Sequence, residues 1–201
     1  MAGRSHQAIE DRVRELLRDC GIKTPAIDVR RVARFLGASV SMVSADSEIS
    51  GMLYRRDDGS VIGINEDHHL NRQRFSIAHE IGHLCLHSND VYLDRGGPSV
   101  YWRDAVSGLG SDGDEIEANH FAACLLMPRG FLVSDLRSGR VHGDALSRGD
   151  DETITWLAKR YQVSPQAITL RLVNLRFIEA GLPPASPTAM KYTRRASEIE
   201  K

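Results

Sequence analysis

The 201-residue chain has 41% hydrophobic and 26% charged side chains and a formal net charge of -1, a composition of soluble globular domains rather than of disordered, collagenous or membrane-spanning chains. So small a net charge gives no whole-molecule attraction to nucleic acid or to a membrane surface. Three cysteines, Cys20, Cys85 and Cys124, form no C-x-x-C pair, which argues against a disulfide framework and for a reducing compartment, the cytoplasm.

The opening MAGRSHQAIEDRVRELL lacks an apolar signal core, and no run of about eighteen apolar residues is available to cross a membrane. Residues 6 to 19 read as a surface helix with Ile9, Val13, Leu16 and Leu17 on one stripe. GIKTP breaks it, and IDVRRVARFLG supplies Asp28 as a cap and Gly37 as a stop for a second helix. Three strand-like runs follow, ASVSMVS, GMLYRR and SVIGIN, the last two joined by the hairpin signal DDG. A strongly apolar helix is expected over about 70 to 87. From 88 to 113 the texture is rich in glycine, without a sustained period, and contains Tyr92, Tyr101 and Trp102; it reads as a long loop, a flap over a cleft. A second apolar helix, DEIEANHFAACLLMP, runs from Asp114 to Met127 and ends at Pro128. A short helix is expected over FLVSDL, and TITWLAKRYQVSPQAITLRLVNLRFI reads as two helices turning near Val163-Ser164-Pro165. The tail from Gly181 is rich in proline, then charged. The expected organisation is therefore 1–149 as one domain including the loop 88–113, 150–180 as a helical pair packed on it, and 181–201 as a tail.

Charge is unevenly distributed along this plan. Residues 1 to 40 carry eight Arg/Lys against five Asp/Glu, 41 to 151 carry ten against eighteen, and 152 to 201 carry eight against four. An acidic centre between basic ends suits a cation in the middle.

The middle also holds the chemistry. RFSIAHEIGHLCLH, residues 74 to 87, places three histidines and a glutamate inside an apolar run, and His79, Glu80 and His83 spell H-E-x-x-H. At 3.6 residues per turn His79 and His83 share a face one turn apart, so both imidazoles reach one ion, while Glu80 flanks them where it can deprotonate a water. Unpaired His and Glu among Phe75, Ile77, Ala78, Ile81 and Leu84 would be costly, and a metal resolves that cost. Catalytic zinc takes three protein ligands, so one more is required. Asn89 stands where a continuation of the motif would need histidine, and His87 lies too far along a rigid helix to converge easily with His79; it is expected to cap the last turn or bind a carbonyl. The second helix offers Glu115 and Glu117 near its N-terminus, where carboxylates are favoured. They point nearly opposite ways, both faces are apolar, and periodicity does not choose between them. His120 follows Glu117 by one turn and can be read as a ligand, a supporting donor or an oxyanion donor.

Two blocks, RFSIAHEIGHLCLH and EANHFAACLLMP, in this order and with an intervening loop, resemble the signatures of the ImmA/IrrE family of metallopeptidases. The resemblance covers about residues 10 to 135. It implies an α+β, zincin-like minimal metallopeptidase domain: a small antiparallel-containing sheet on the H-E-x-x-H helix, a second ligand-bearing helix and C-terminal helices. It implies zinc (Zn2+) held by His79, His83 and Glu117, with Glu80 catalytic, and a protein substrate, a helix-turn-helix repressor or similar DNA-binding regulator. Oxyanion stabilisation would fall to His120, Tyr101 or Tyr92, and Cys85 reads as a small core hydrophobe. Two other functions compete with the peptidase. LAKRYQVSPQAITLRL has the form of a helix-turn-helix in which Lys159, Arg160, Arg171 and Arg176 could meet phosphates, giving a DNA-binding regulator with a structural metal. The other is a protein that binds its partner without cutting it.

Overall fold

The structure, a computed structural model, describes residues 3–95, 113–138 and 150–178. The chain divides into two compact units, Met1–Phe131 and Leu132–Lys201.

In the first unit, helix α1 (His6–Asp19) starts at Ser5, whose hydroxyl accepts from the Ala8 N–H, and buries the expected stripe of Ile9, Val13, Leu16 and Leu17. Helix α2 (Val29–Phe35) starts at Asp28, whose carboxylate accepts from the Arg31 N–H at 3.0 Å. Such caps satisfy helix-end donors that have no intrahelical partner. Three strands, β1 (Ala38–Val43), β2 (Ile49–Tyr54) and β3 (Ser60–Asn65), match the strand-like runs to within two residues. A fourth, β4 (Val91–Arg95), lies inside the segment expected to be loop. VYLDR is short and bounded by Asn, Asp and Gly, yet it alternates: Tyr92 and Asp94 are buried, Val91 and Leu93 exposed. Pairing supplies what its length lacks. The sheet order is β1-β3-β2-β4, with β1 and β3 parallel and the other pairs antiparallel. Gly51 of β2 faces Asp94 of β4 across the ladder, and Leu53 faces Tyr92.

Helix α3 (Leu70–Leu86) lies on the inner face of this sheet, against β2, β3 and β4. Every residue from Phe75 to His83 is buried, because helix α4 (Gly113–Leu126) covers its other side. Helix α4 is apolar nearly all round for the same reason: α3 meets one flank and α1 another. At the C-terminal end of α3, Arg55 donates to the carbonyls of His83 (2.9 Å), Leu84 (3.2 Å) and His87 (2.7 Å). These are carbonyls at the helix C-terminus, where a cation also complements the helix dipole.

Helix α5 (Arg129–Arg137) crosses from the first unit into the second. Within the second unit, helices α6 (Asp151–Tyr161) and α7 (Pro165–Asn174) pack together through Leu157, Tyr161, Ile168 and Leu172, all with 0% exposure. The turn between them uses Gln162 in the left-handed region (φ 54°) and Ser164, which caps the Ala167 N–H at 3.1 Å. Arg171, expected to be available to phosphates, is 1% exposed. Arg160 lies over the Trp156 ring and donates to Asp135 at 2.7 Å. Of the four basic side chains expected to meet nucleic acid, Lys159 and Arg176 are exposed. The expected boundary near 149, the tail 181–201 and the flap residues 96–112, Tyr101 included, lie outside the described residues. Among the described residues no helix is long and apolar enough to cross a membrane.

Candidate metal centre

The site is built where α3 and α4 touch. A Cβ added at Gly82 would stand 3.0 Å from Ala118 Cα, 3.1 Å from its carbonyl oxygen and 3.2 Å from Phe121 Cβ. Only a glycine lets the two backbones approach this closely. One turn along, the approach brings three donors together: His79 Nε2 and His83 Nε2 are 3.0 Å apart, and the Glu115 carboxylate oxygens lie 3.2 Å from each. A tetrahedral ion bonded at about 2.0–2.1 Å sets its donors about 3.3 Å apart. The spacing and the donor set, two imidazole nitrogens and a carboxylate, both fit zinc.

Glu117 is not brought to this pair. It stands two positions after Glu115, about 200° around a helix, so its carboxylate turns away toward the N-terminal segment. There Arg4 donates to it from its backbone N–H (2.6 Å) and its guanidinium (2.8 Å). The other partner of Glu117 is His87 Nε2, at 3.3 Å. Beside the two histidines the structure brings Glu115 rather than the expected Glu117, and Glu117 ends a chain of contacts that begins at the site. His83 Nδ1 meets His87 Nδ1 at 3.1 Å, and His87 Nε2 meets Glu117. A proton on His83 Nδ1 and another on His87 Nε2 satisfy both links and leave His83 Nε2 with its lone pair toward Glu115. His79 is held likewise: its Nδ1–H donates to Asn119 Oδ1 at 2.9 Å. Such outer partners fix ring orientation and tautomer at metal sites. His87 thus does more than cap α3, and Asn119 was not anticipated, because a helix carries no sign of which neighbour its amide will meet.

Tyr92 stacks its ring on His83, with centroids 4.0 Å apart and planes at 24°, and its hydroxyl donates to Asp114 at 3.2 Å. It supports the imidazole with its face. His120 turns to α1, where its ring stacks on His6 with centroids 4.2 Å apart. Cys85 is partly buried on α3, and desolvation pushes its thiol up to about 11.

Glu80 has 0% exposure, and neither of its carboxylate oxygens has a hydrogen-bond partner among the described residues. Space for this carboxylate comes from β2: a Cβ at Gly51 would stand 2.8 Å from Glu80 Oε1. Asp94, opposite Gly51 on β4, is 3% exposed, and its carboxylate, that of Glu80 and a His79 nitrogen lie within 4.8 Å of one another. Burial pushes Glu80 up to about 8, with Asp94 and Glu115 reinforcing it and His79 opposing. Asp94 rises to about 6, also chiefly through burial. His79 is drawn the other way. Burial would lower it, but the Glu115 hydrogen bond and the charges of Glu80 and Asp94 raise it to about 9. Glu115 is held well below the carboxylate range: burial opposes this, and the two imidazoles outweigh burial. Without a cation, His79, Glu80 and Asp94 are therefore drawn toward their protonated forms, whereas His83 is lowered, chiefly by burial, and Glu115 stays ionised.

A family model, the IrrE N-terminal-like domain of peptidases, matches residues 34–173. A comparison with curated proteins finds no match. Among solved structures, a Mycobacterium tuberculosis transcriptional regulator shares the fold with a TM-score of 0.53 at 17% identity, over 83% of this chain and 47% of that one. The present chain thus spans about half the length of that protein. With the match covering most of the sequence and an α+β core that brings two motif histidines and a carboxylate together, the chain belongs to the IrrE N-terminal-like family.

Proposed function

We propose that His79, His83 and Glu115 hold the zinc, that Glu80 is the general base, and that the substrate is a DNA-binding regulatory protein, a helix-turn-helix repressor. The observation that carries this reading is the convergence of three donor groups within 3.2 Å of one another beside a buried carboxylate. Zinc held there supplies Lewis acidity, which acidifies the attacking water and polarises the scissile carbonyl. Asn119 and His87 hold the two imidazoles so that their Nε2 lone pairs face the ion. Glu80 takes the water's proton and returns it to the departing amine. Burial raises the proton affinity of this carboxylate, and a cation bound beside it would keep it ionised to accept the proton. Gly51 leaves the space that this carboxylate occupies.

Support for a regulator as substrate comes from the family, and from a chain of the same fold that is described as a transcriptional regulator. Direct DNA binding by α6 and α7 is the weaker alternative, because Arg171 is buried and Arg160 is engaged by Asp135. In the test, zinc-loaded wild type and Glu80→Gln are incubated with candidate repressors, and fragments are mapped by intact mass. The expected result is a dominant cut by wild type and none by Glu80→Gln at equal zinc content. Equal cleavage by both would remove Glu80 as the base. Tight binding without any cut by wild type would replace the peptidase reading with a non-cleaving partner.

A further inference from the structure

We propose that the interface between α1 and α4 contains a second metal site, for zinc or a similar thiophilic divalent ion, formed by Glu10, His120 and Cys124. One donor atom from each of the three residues lies within 4.8 Å of the others. His120 and Cys124 are four apart on α4, so they project from one face at successive turns. That face lies about 140° around the helix from Glu115, given 100° per residue. Helix α4 therefore presents one ligand set to α3 and a separate one to α1. Glu10 reaches the second set from α1, which packs directly on α4. Sites of this kind, made by side chains on facing helices, are a common use of a helix–helix interface.

The donor chemistry selects the ion. A thiolate, an imidazole and one carboxylate suit zinc and its neighbours; magnesium and calcium require oxygen ligands. Cys124 has 0% exposure and His120 Nε2 is buried, whereas Glu10 and the His120 ring as a whole are half-buried. The site is thus closed on its sulfur side and open toward solvent, where His6 covers the His120 ring. An ion there clamps α1 to α4. Arg4, just ahead of α1, holds Glu117, and Glu117 holds His87 against His83. The clamp therefore also steadies the contacts that orient one imidazole of the other centre.

Cobalt(II) distinguishes the two centres, because the His79, His83 and Glu115 cluster contains no sulfur. Full-length protein, stripped of metal, is titrated with cobalt while its near-ultraviolet spectrum is recorded. Wild type should take up about two equivalents and develop a thiolate-to-cobalt charge-transfer band. Cys124→Ala should abolish the band and one equivalent and retain the other, with Cys20 and Cys85 still present as internal controls. Glu10→Gln, a change at a half-buried helix position, should shift the band to at least about tenfold higher cobalt, since loss of even an outer partner costs that much. The absence of a thiolate band from cobalt-saturated wild type overturns the proposal without any variant. A band that survives Cys124→Ala, or one whose midpoint is unmoved by Glu10→Gln, overturns it too.

Discussion

Replacing Glu115 by Gln and, separately, Glu117 by Gln should have very different effects on metal affinity, although the two residues are neighbours of the same type on one helix. Glu115 places an oxygen 3.2 Å from each motif nitrogen, the spacing of donors around a single zinc. Its amide analogue keeps the shape and loses the charge that balances the ion. Glu117 touches the site only through His87, 3.3 Å away, and has Arg4 as its main partner. Loss of such an outer contact costs about 10–100-fold in metal affinity, and loss of a direct charged donor more than about 100-fold. With the outer contact at about 10-fold and the direct donor at about 100-fold, the two variants should differ by roughly 1.4 kcal/mol, at about 1.4 kcal/mol per decade. Competition titration with a chromophoric chelator measures the affinity, carried out in the Cys124→Ala background so that only this centre is read. Circular dichroism checks the fold of each variant. If Glu117→Gln loses the zinc while Glu115→Gln keeps wild-type affinity, the ligand set and the role given to His87 are both wrong.

Three further outcomes follow from the same geometry. Gly82→Ala forces a methyl to within 3.0 Å of the Ala118 backbone; overpacking of this kind costs about 1–3 kcal/mol, and separating α3 from α4 should also weaken zinc binding, read by thermal unfolding with and without metal. Unchanged melting and affinity would mean that the close approach is not required. Gly51→Ala places a methyl 2.8 Å from Glu80 Oε1 and should lower kcat by on the order of 100-fold, the usual result of a small misplacement, with zinc content unchanged; normal kcat would show that Glu80 works elsewhere. The metal-free protein should melt at progressively lower temperature from pH 6.5 to 9, above the range in which His83, lowered chiefly by burial, works the other way. His79 rises to about 9 in the fold from 6.5, so its stabilisation is complete below 6.5 and lost as pH climbs through 9, and Glu80, raised from 4.5 to about 8, loses stability in the same direction. Zinc should flatten that dependence, and a flat or rising profile without metal would contradict the charge balance described for the site.

How much of this was legible in the amino-acid order follows from the range of the forces involved. The cap at Asp28, the stripe of Ile9, Val13, Leu16 and Leu17, and the turn between β2 and β3 depend on residues a few positions apart, and they could be read directly. The sharing of one face by His79 and His83 is equally local, a consequence of helical pitch. The strand β4 was hidden because five residues flanked by turn formers have little signal of their own; its pairing with β2 gives it structure. The choice between Glu115 and Glu117 was beyond the sequence for a different reason. Both lie on apolar faces of a helix covered on two sides, so a helical wheel gives them equal standing, and the recognisable block EANHFAACLLMP begins at the residue that turns away. What decides is the contact of Gly82 with Ala118, which fixes how far and at what rotation α4 approaches α3. The same contact sends His120 to α1 rather than to the motif histidines. The sequence by itself determined which side chains could bind a metal; the packing of two helices determined which of them lie together.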